Sequence, residues 1–174
     1  MNWYALYIKT GYEKKSEQYL KTRLDGEEFI HFVPMKEVLR RHSKEIIKEK
    51  MPLLPGYVFT KSELSDNEFF LRTKKIINES SHIIRLLSNA EANEYAMKAE
   101  DIYFIESLCN AEYCVEVSSG IVEGDRTFIK KGPLMGMEGK IKRINRHKLF
   151  AVIEMEVMGT VIETQLSLEL IDKA

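Results

Sequence analysis

A chain of 174 residues, 44% hydrophobic and 30% charged, can bury one moderate core or two small ones, and no apolar run in it approaches a membrane span. Cys109 and Cys114 are the only cysteines; their spacing fits no common zinc pattern and no histidine pair accompanies them, so a reducing cytoplasm fits and neither metal nor cofactor is expected. The formal net charge of -1 hides an uneven distribution along the chain.

Residues 3–8 read as a buried first strand, closed by the turn residue Gly11; they lack a basic n-region and a cleavage site, so export is not expected. From Tyr12 to Leu24 the apolar residues Tyr12, Tyr19, Leu20 and Leu24 recur at helical spacing, with Lys14, Gln18 and Lys21 on another face. Residues 29–33 form a second strand ended by Pro34. Residues 36–51 alternate irregularly through a basic stretch and read as a long hairpin with its tip near His42 and Ser43. Its return leg enters Met51-Pro52-Leu53-Leu54-Pro55, which cannot be helix interior because neither proline donates an N–H. Residues 57–60 are strand chemistry again.

Ser65 and Glu68 have capping-box spacing and predict a helix to about Ile77, packed through Phe69, Phe70 and Ile77. Residues 83–87 form a fourth strand. Ser88 and Glu91 repeat the box and predict a longer helix, carrying Tyr95, Ala96, Ala99, Ile102 and Tyr103, to about Cys109. After Asn110 helical signals stop. Glycine turns and short strands follow, with Leu149, Ala151, Ile153, Met155 and Val157 alternating inward and residues 164–171 strand-like. The expected fold is α+β: residues 1–110 an antiparallel four-stranded sheet with helices, 111–119 a linker, and 120–174 a small β-barrel.

Residues 89–116 carry seven acids against Lys98 alone, and residues 130–148 carry seven Lys or Arg against Glu138 alone. The second run makes a positive patch able to meet phosphates. No chemistry assembles around it. Gly132, Gly136 and Gly139 fail the phosphate-loop pattern at Leu134 and Ile141, and neither a dinucleotide fingerprint nor a nucleophile elbow occurs. His31, His42, His82 and His147 share no ligand spacing. An enzyme is not expected.

Trp3-Tyr4-Ala5-Leu6 with Gly11-Tyr12-Glu13-Lys14-Lys15 resembles the opening of the NusG N-terminal domain. Leu54-Pro55-Gly56-Tyr57-Val58-Phe59 is similar to that domain's F-P-G-Y-V-F signature, and Glu123-Gly124-Asp125 with residues 132–139 resembles the KOW motif. The resemblance implies a monomeric transcription elongation factor whose apolar surface grips the RNA polymerase β′ clamp helices. Carried over, Leu54, Tyr57, Phe59 and Ile84 are the candidates for that grip, with strand alternation expected to send one of Tyr57 and Phe59 into the core. The same domain could lie against non-template DNA through Lys14, Lys15, Lys21, Arg72, Lys74 and Lys75. Val157-Met158-Gly159-Thr160-Val161 departs from the aromatic-glycine-arginine pattern with which the general factor's barrel helps dock ribosomal protein S10 or Rho. With the heavy basic run, this is similar to the specialised LoaP antiterminators, whose KOW barrel reads structured RNA. Lys130, Lys131, Lys140, Lys142, Arg143, Arg146, His147 and Lys148 are the RNA-binding candidates, expected on one rim. The alternative is a housekeeping factor whose barrel docks proteins.

Overall fold

A continuous apolar run, Trp3 to Leu6 with Ile8, makes Asn2–Ile8 (β1) an inner strand, buried on both faces over most of its length. The computed structural model describes residues 1–172. In chain order β1 is followed by α1 (Glu13–Arg23), β2 (Phe29–Phe32), β3 (Met35–His42), β4 (Glu45–Pro52), β5 (Tyr57–Ser62) and α2 (Asp66–Glu79). Then come β6 (Ile83–Leu86), α3 (Ala99–Leu108), β7 (Cys114–Val115), β8 (Ser118–Glu123), β9 (Arg126–Lys131), β10 (Ile141–Asn145), β11 (Phe150–Val157) and β12 (Thr160–Asp172). The chain forms two compact units, each discontinuous in sequence. The first holds Met1–Pro34, Leu54–Tyr103 and Glu156–Thr160; the second holds Met35–Leu53, Phe104–Met155 and the chain from Val161 on.

In the first unit an antiparallel sheet has the order β2-β5-β1-β6. Tyr4 faces the helices and stacks on Phe69 of α2, ring centroids 3.7 Å apart. The Tyr19 hydroxyl of α1 donates to the Ile76 carbonyl of α2 at 2.9 Å, and Arg23 pairs with Glu79, so the two helices are tied side by side. The opposite face carries Trp3, Phe32 and Phe59, with Trp3 edge-on to Phe32 at 4.9 Å. His31 is core: Nε2 faces the Leu24 carbonyl at 3.2 Å and Nδ1 the Thr60 hydroxyl at 2.8 Å. A carbonyl only accepts, so Nε2 carries a proton, and burial lowers the imidazole's pKa.

Of the helix expected from Ser88 to about Cys109, only the second half forms, as α3. The box at Ser65 works, its N–H donating to Glu68 Oε2 at 3.0 Å, but its repeat at Ser88 opens a turn segment, and α3 begins only at Ala99. Long-range partners take the backbone instead. Asn89 and Glu94 bridge, Asn93 adopts φ +54°, and the Asp66 carboxylate accepts the N–H groups of Tyr95 and Ala96 at 2.8 and 3.0 Å. Met97 N–H then donates to the Trp3 carbonyl at 2.8 Å, extending the sheet along the part of β1 that β6 leaves open.

The second unit holds a five-stranded sheet, β10-β11-β12-β8-β9, with β12 and β8 parallel. The expected barrel is therefore seen in part, as a half-barrel sheet edged by β10 and β9; among the described residues no ladder joins these edges, although Arg146, just past β10, reaches Thr127 of β9. Both edge strands slip register against their neighbours, between Ile141 and Arg143 and between Ser119 and Gly120, which bends them out of a regular ladder. The inward alternation of Ala151, Ile153, Met155 and Val157 is as expected, all four being buried. Gly132, at φ +95°, has no room for a side chain: a Cβ there would lie 2.6 Å from Ser118 Cα.

The hairpin β3–β4 pairs from Met35↔Pro52 to His42↔Glu45, its turn at Ser43 and Lys44 as expected. It belongs to this second unit, through parallel pairing of β3 with β7 and polar bonds to β12. The Lys36 ammonium donates to Thr164 Oγ1 at 3.0 Å and the Gln165 carbonyl at 2.8 Å. Leu39 N–H donates to Ser167 Oγ at 3.0 Å, and the Thr164 hydroxyl to the Leu53 carbonyl at 2.9 Å.

Candidate functional site

The apolar loop after β4 does not offer all its side chains. Leu54 is buried, and Phe59 is 0% exposed, packed against Trp3 and Phe32. Two of the four residues expected to grip a partner are thus core. Alternation does not separate Tyr57 from Phe59, because residues two apart on a strand share a face; their rings lie 6.5 Å apart, near parallel. Depth along β5 separates them. Tyr57 sits at the strand's start, half-buried, and its N–H closes the loop onto the Leu54 carbonyl at 3.2 Å. Gly56, at φ +89°, donates its N–H to the buried Glu13 carboxylate at 2.7 Å, which also accepts the Gly11 N–H.

Strand register builds a row that the sequence does not announce. Tyr57 of β5 pairs with Tyr7 of β1, and Tyr7 pairs with Arg85 of β6. The tyrosine rings are 5.7 Å apart, and Tyr7 is 38% exposed. Beside the row on β6, Ile84 is 50% exposed. Burial pushes the Tyr57 phenol up, Tyr7 adds to this and Arg85 opposes it, so Tyr57 stays a neutral hydrogen-bond donor. Tyr7 and Arg85 are the residues sequence reasoning missed. Only the pairing of three strands, remote in sequence, brings them beside Tyr57.

All eight basic candidates of the second unit are exposed, but they do not share one rim. β10 and β9 are the two edges of this sheet, and the end of one meets the start of the other. Arg146, just past β10, donates to Thr127 Oγ1 at the start of β9, at 3.4 Å. Arg146, His147 and Lys148 therefore gather at one end of the sheet. Lys130, Lys131 and Lys140 lie at the other, with Lys130 over the Phe128 ring and Lys140 over Phe104. Two of the cations are partly matched: Lys142 pairs with Glu154, which raises its pKa, and Arg143 stands 4.0 Å from Glu163.

The N-terminal cations lie on the outer faces of α1 and α2. Lys14 and Lys21 both pair with Glu17, at 3.0 and 2.6 Å, Arg72 meets Glu28 at 3.5 Å, and Lys75 meets Glu79 at 3.8 Å. Lys15 and Lys74 lie over the rings of Tyr12 and Phe70. Tyr12 in turn stacks on His82 at 4.0 Å. Desolvation, then Lys15 and Lys9, lower the His82 pKa, so this imidazole is neutral near pH 7.

No group of three or more His, Cys, Asp or Glu among the described residues could hold a metal ion. Cys109 is not an activated thiol: burial, with Cys114 and Glu106 adding, pushes it up to about 12. No helix among the described residues is long and apolar enough to cross a membrane.

An aromatic row at the end of one sheet and two basic ends on another are the candidate surfaces that the fold presents. The chain belongs to the NusG family. The family model described as "Transcription termination factor nusG" matches residues 1–106. The "Transcription termination/antitermination protein NusG" of Staphylococcus carnosus (strain TM300) is 20% identical, covering 98% of this chain and 94% of its own. The proteins of the same name from Staphylococcus aureus (strain Mu50) and Staphylococcus epidermidis match with the same identity and coverage. Among solved structures, a chain of an MjSpt4:Spt5 complex is similar at 15% identity and a TM-score of 0.35, covering 95% of this chain and 97% of that one.

Proposed function

We propose that this NusG-family protein is a specialised transcription antitermination factor of the LoaP kind. In this reading residues 1–110 hold RNA polymerase at its β′ clamp helices, 111–119 link, and 120–174 hold a structured nascent RNA. The clamp contact uses Tyr57 and Ile84, with Tyr7 and Arg85 added; Leu54 and Phe59 shape that surface from beneath. The α1 and α2 cations contact non-template DNA. No covalent step is involved: a monomer in the cytoplasm favours the elongating state by binding it better than the paused one.

The observation that carries the reading is the exposure of all eight basic side chains of the run from Lys130 to Lys148, of which Lys142 and Arg143 stand near Glu154 and Glu163. Phosphates would be held at both ends of the sheet, and a hairpin's groove shape would supply selectivity. The deciding experiment is binding of the purified protein to an RNA hairpin and to single-stranded RNA of equal length. Preference for the hairpin is expected; equal or no binding at low salt would sink the specialised role. A second reading, a general factor whose sheet docks proteins such as ribosomal protein S10 or Rho, is favoured by those same two ion pairs. It would lead if S10 or Rho were captured and the hairpin were not.

A further inference from the structure

The outer face of β9 alternates charge and ring. Arg126, Phe128 and Lys130 are exposed along this edge strand while Ile129 is buried, and side chains two residues apart on one face stand about 7 Å apart. A bulge adds a further cation. Ser119 pairs with Lys131 and Gly120 with Ile129, so Lys130 is the extra residue and both lysines reach solvent. Only glycine fits opposite the bulge, because a Cβ on Gly120 would run into the Phe128 carbonyl. Register then aligns Phe128 with Ile121 of β8, and Ile121 with Ile171 of β12. Phe128 is 37% exposed, Ile121 half-buried and Ile171 65% exposed, so an apolar row crosses three strands in contact with solvent. The charges around it are one-sided. The cations stand on β9, whereas Glu123 and Glu169 stand on β8 and β12.

We propose that Phe128 is a base-stacking platform: unpaired loop bases of an RNA hairpin lie on its ring, and Arg126, Lys130 and Lys131 hold the adjoining phosphates. The inference rests on the RNA reading above and names the part of the RNA that the sheet reads. Charge places the RNA backbone along β9 and away from the acids, so the bases reach inward over the row toward Ile121. An aromatic ring set among cations suits single-stranded nucleic acid, whose bases offer a free π-face. Paired bases in a stem have their faces covered by their neighbours, which leaves the loop as the stacking partner. The Lys130 ammonium lies 5.5 Å from the Phe128 ring centroid. A base arriving there takes the place of this exposed cation, which turns to the phosphate beside it. Phe128 also stands between the two basic ends of the sheet, so a loop seated on it keeps both ends within reach of one RNA.

The test uses the full chain and two RNA hairpins of identical stem, one with an adenosine loop and one whose loop nucleotides lack bases, followed by fluorescence anisotropy over a salt series. Phe128→Ala is expected to bind the adenosine-loop hairpin about tenfold more weakly, with an unchanged logarithmic salt slope, since a stacking contact and no phosphate contact is lost. Phe128→Leu, which keeps an apolar side chain on the row but removes the ring, should lose nearly as much. Phe128→Trp should stay within about twofold of wild type. Wild type should bind the baseless loop about tenfold more weakly too, and Phe128→Ala should lose nothing further on it. Trp3, the only tryptophan, is buried, so the emission of F128W reports directly on the row. It should be quenched by the adenosine loop and not by the baseless one. An adenosine-loop hairpin bound equally well by wild type and Phe128→Ala, or F128W emission unmoved on binding, would overturn the proposal and return the row to protein contacts while RNA binding stood. No binding of either hairpin by wild type at low salt would overturn the RNA reading and this inference with it.

Discussion

The two larger sheets place their candidate residues differently. In the four-stranded sheet, surface and core share one strand and one face: Tyr57 is half-buried at the start of β5, and Phe59, two residues on, is sealed between Trp3 and Phe32. In the five-stranded sheet the core is the inward row of β11 with Leu166 and Leu168 of β12, whereas the cations stand on edge strands and turns. Binding and stability are therefore coupled in the first and separable in the second.

The largest effect is expected at Phe59. Phe59→Ala should lower stability by about 3–5 kcal/mol, since it opens a cavity in a closed aromatic cluster. Tyr57→Ala should cost about 1 kcal/mol, because part of that ring already meets solvent. Urea denaturation of both variants reads the difference. Equal losses would erase the distinction between core and surface on β5.

This contrast was partly legible in the sequence. Local signals sufficed where the structure is local: the capping box of α2, the hairpin turn at Ser43 and Lys44, and the alternation of β11 all stand where periodicity puts them. The box at Ser88 misled because its segment answers to Asp66 and Trp3, which no local pattern reveals. The Tyr57–Tyr7–Arg85 row depends on the register of three strands, and register is a property of pairing rather than of any one strand. The separation of the basic run into two ends follows likewise from strand direction in the folded sheet.

Lys36 extends the comparison to the hairpin, whose docking on β12 depends on a buried cation. It is 7% exposed, both its hydrogen-bond acceptors are uncharged, and burial lowers its pKa to about 8. The folded state thus binds the proton less tightly than the unfolded chain. Between about pH 8 and pH 10.5 the unfolded state holds more protons, so stability should rise with pH across that window, by at most about 3 kcal/mol. Below pH 8 this contribution is absent. Urea denaturation of wild type and Lys36→Met across the window should show the rise in wild type only, since other titrating groups affect both. Parallel curves would mean that Lys36 is not desolvated on folding.

At the aromatic row the expected effect is on binding. Tyr57→Ala should weaken capture of the isolated clamp helices by about 2 kcal/mol, as an aromatic anchor in a small interface does. Tyr57→Phe keeps the ring beside Tyr7 and should lose much less. A full loss in Tyr57→Phe would shift the contact from the ring to the hydroxyl, and no loss in Tyr57→Ala would remove this end of the sheet from the interface.

The smallest stability effect belongs to the five-stranded sheet. Arg143 and Arg146 are exposed, one 4.0 Å from Glu163 and the other holding Thr127 at 3.4 Å, and exposed contacts of this kind contribute little. Arg143→Ala, Arg146→Ala and Lys148→Ala should each leave stability within about 0.5 kcal/mol. Each that meets an RNA phosphate should also lower the logarithmic salt slope of hairpin binding by about one unit. The two sheet ends can then be told apart. Arg146 and Lys148 share one end, so their double variant should lower the slope by about two units. Lys131→Ala, at the other end, should lower it further only if the hairpin spans the sheet. A slope that responds to Lys131 and not to Arg146 would put the RNA on the Lys140 end. A slope that responds to neither, with stability unchanged, would leave these cations as a solvated face, and protein docking would be the better account of the sheet.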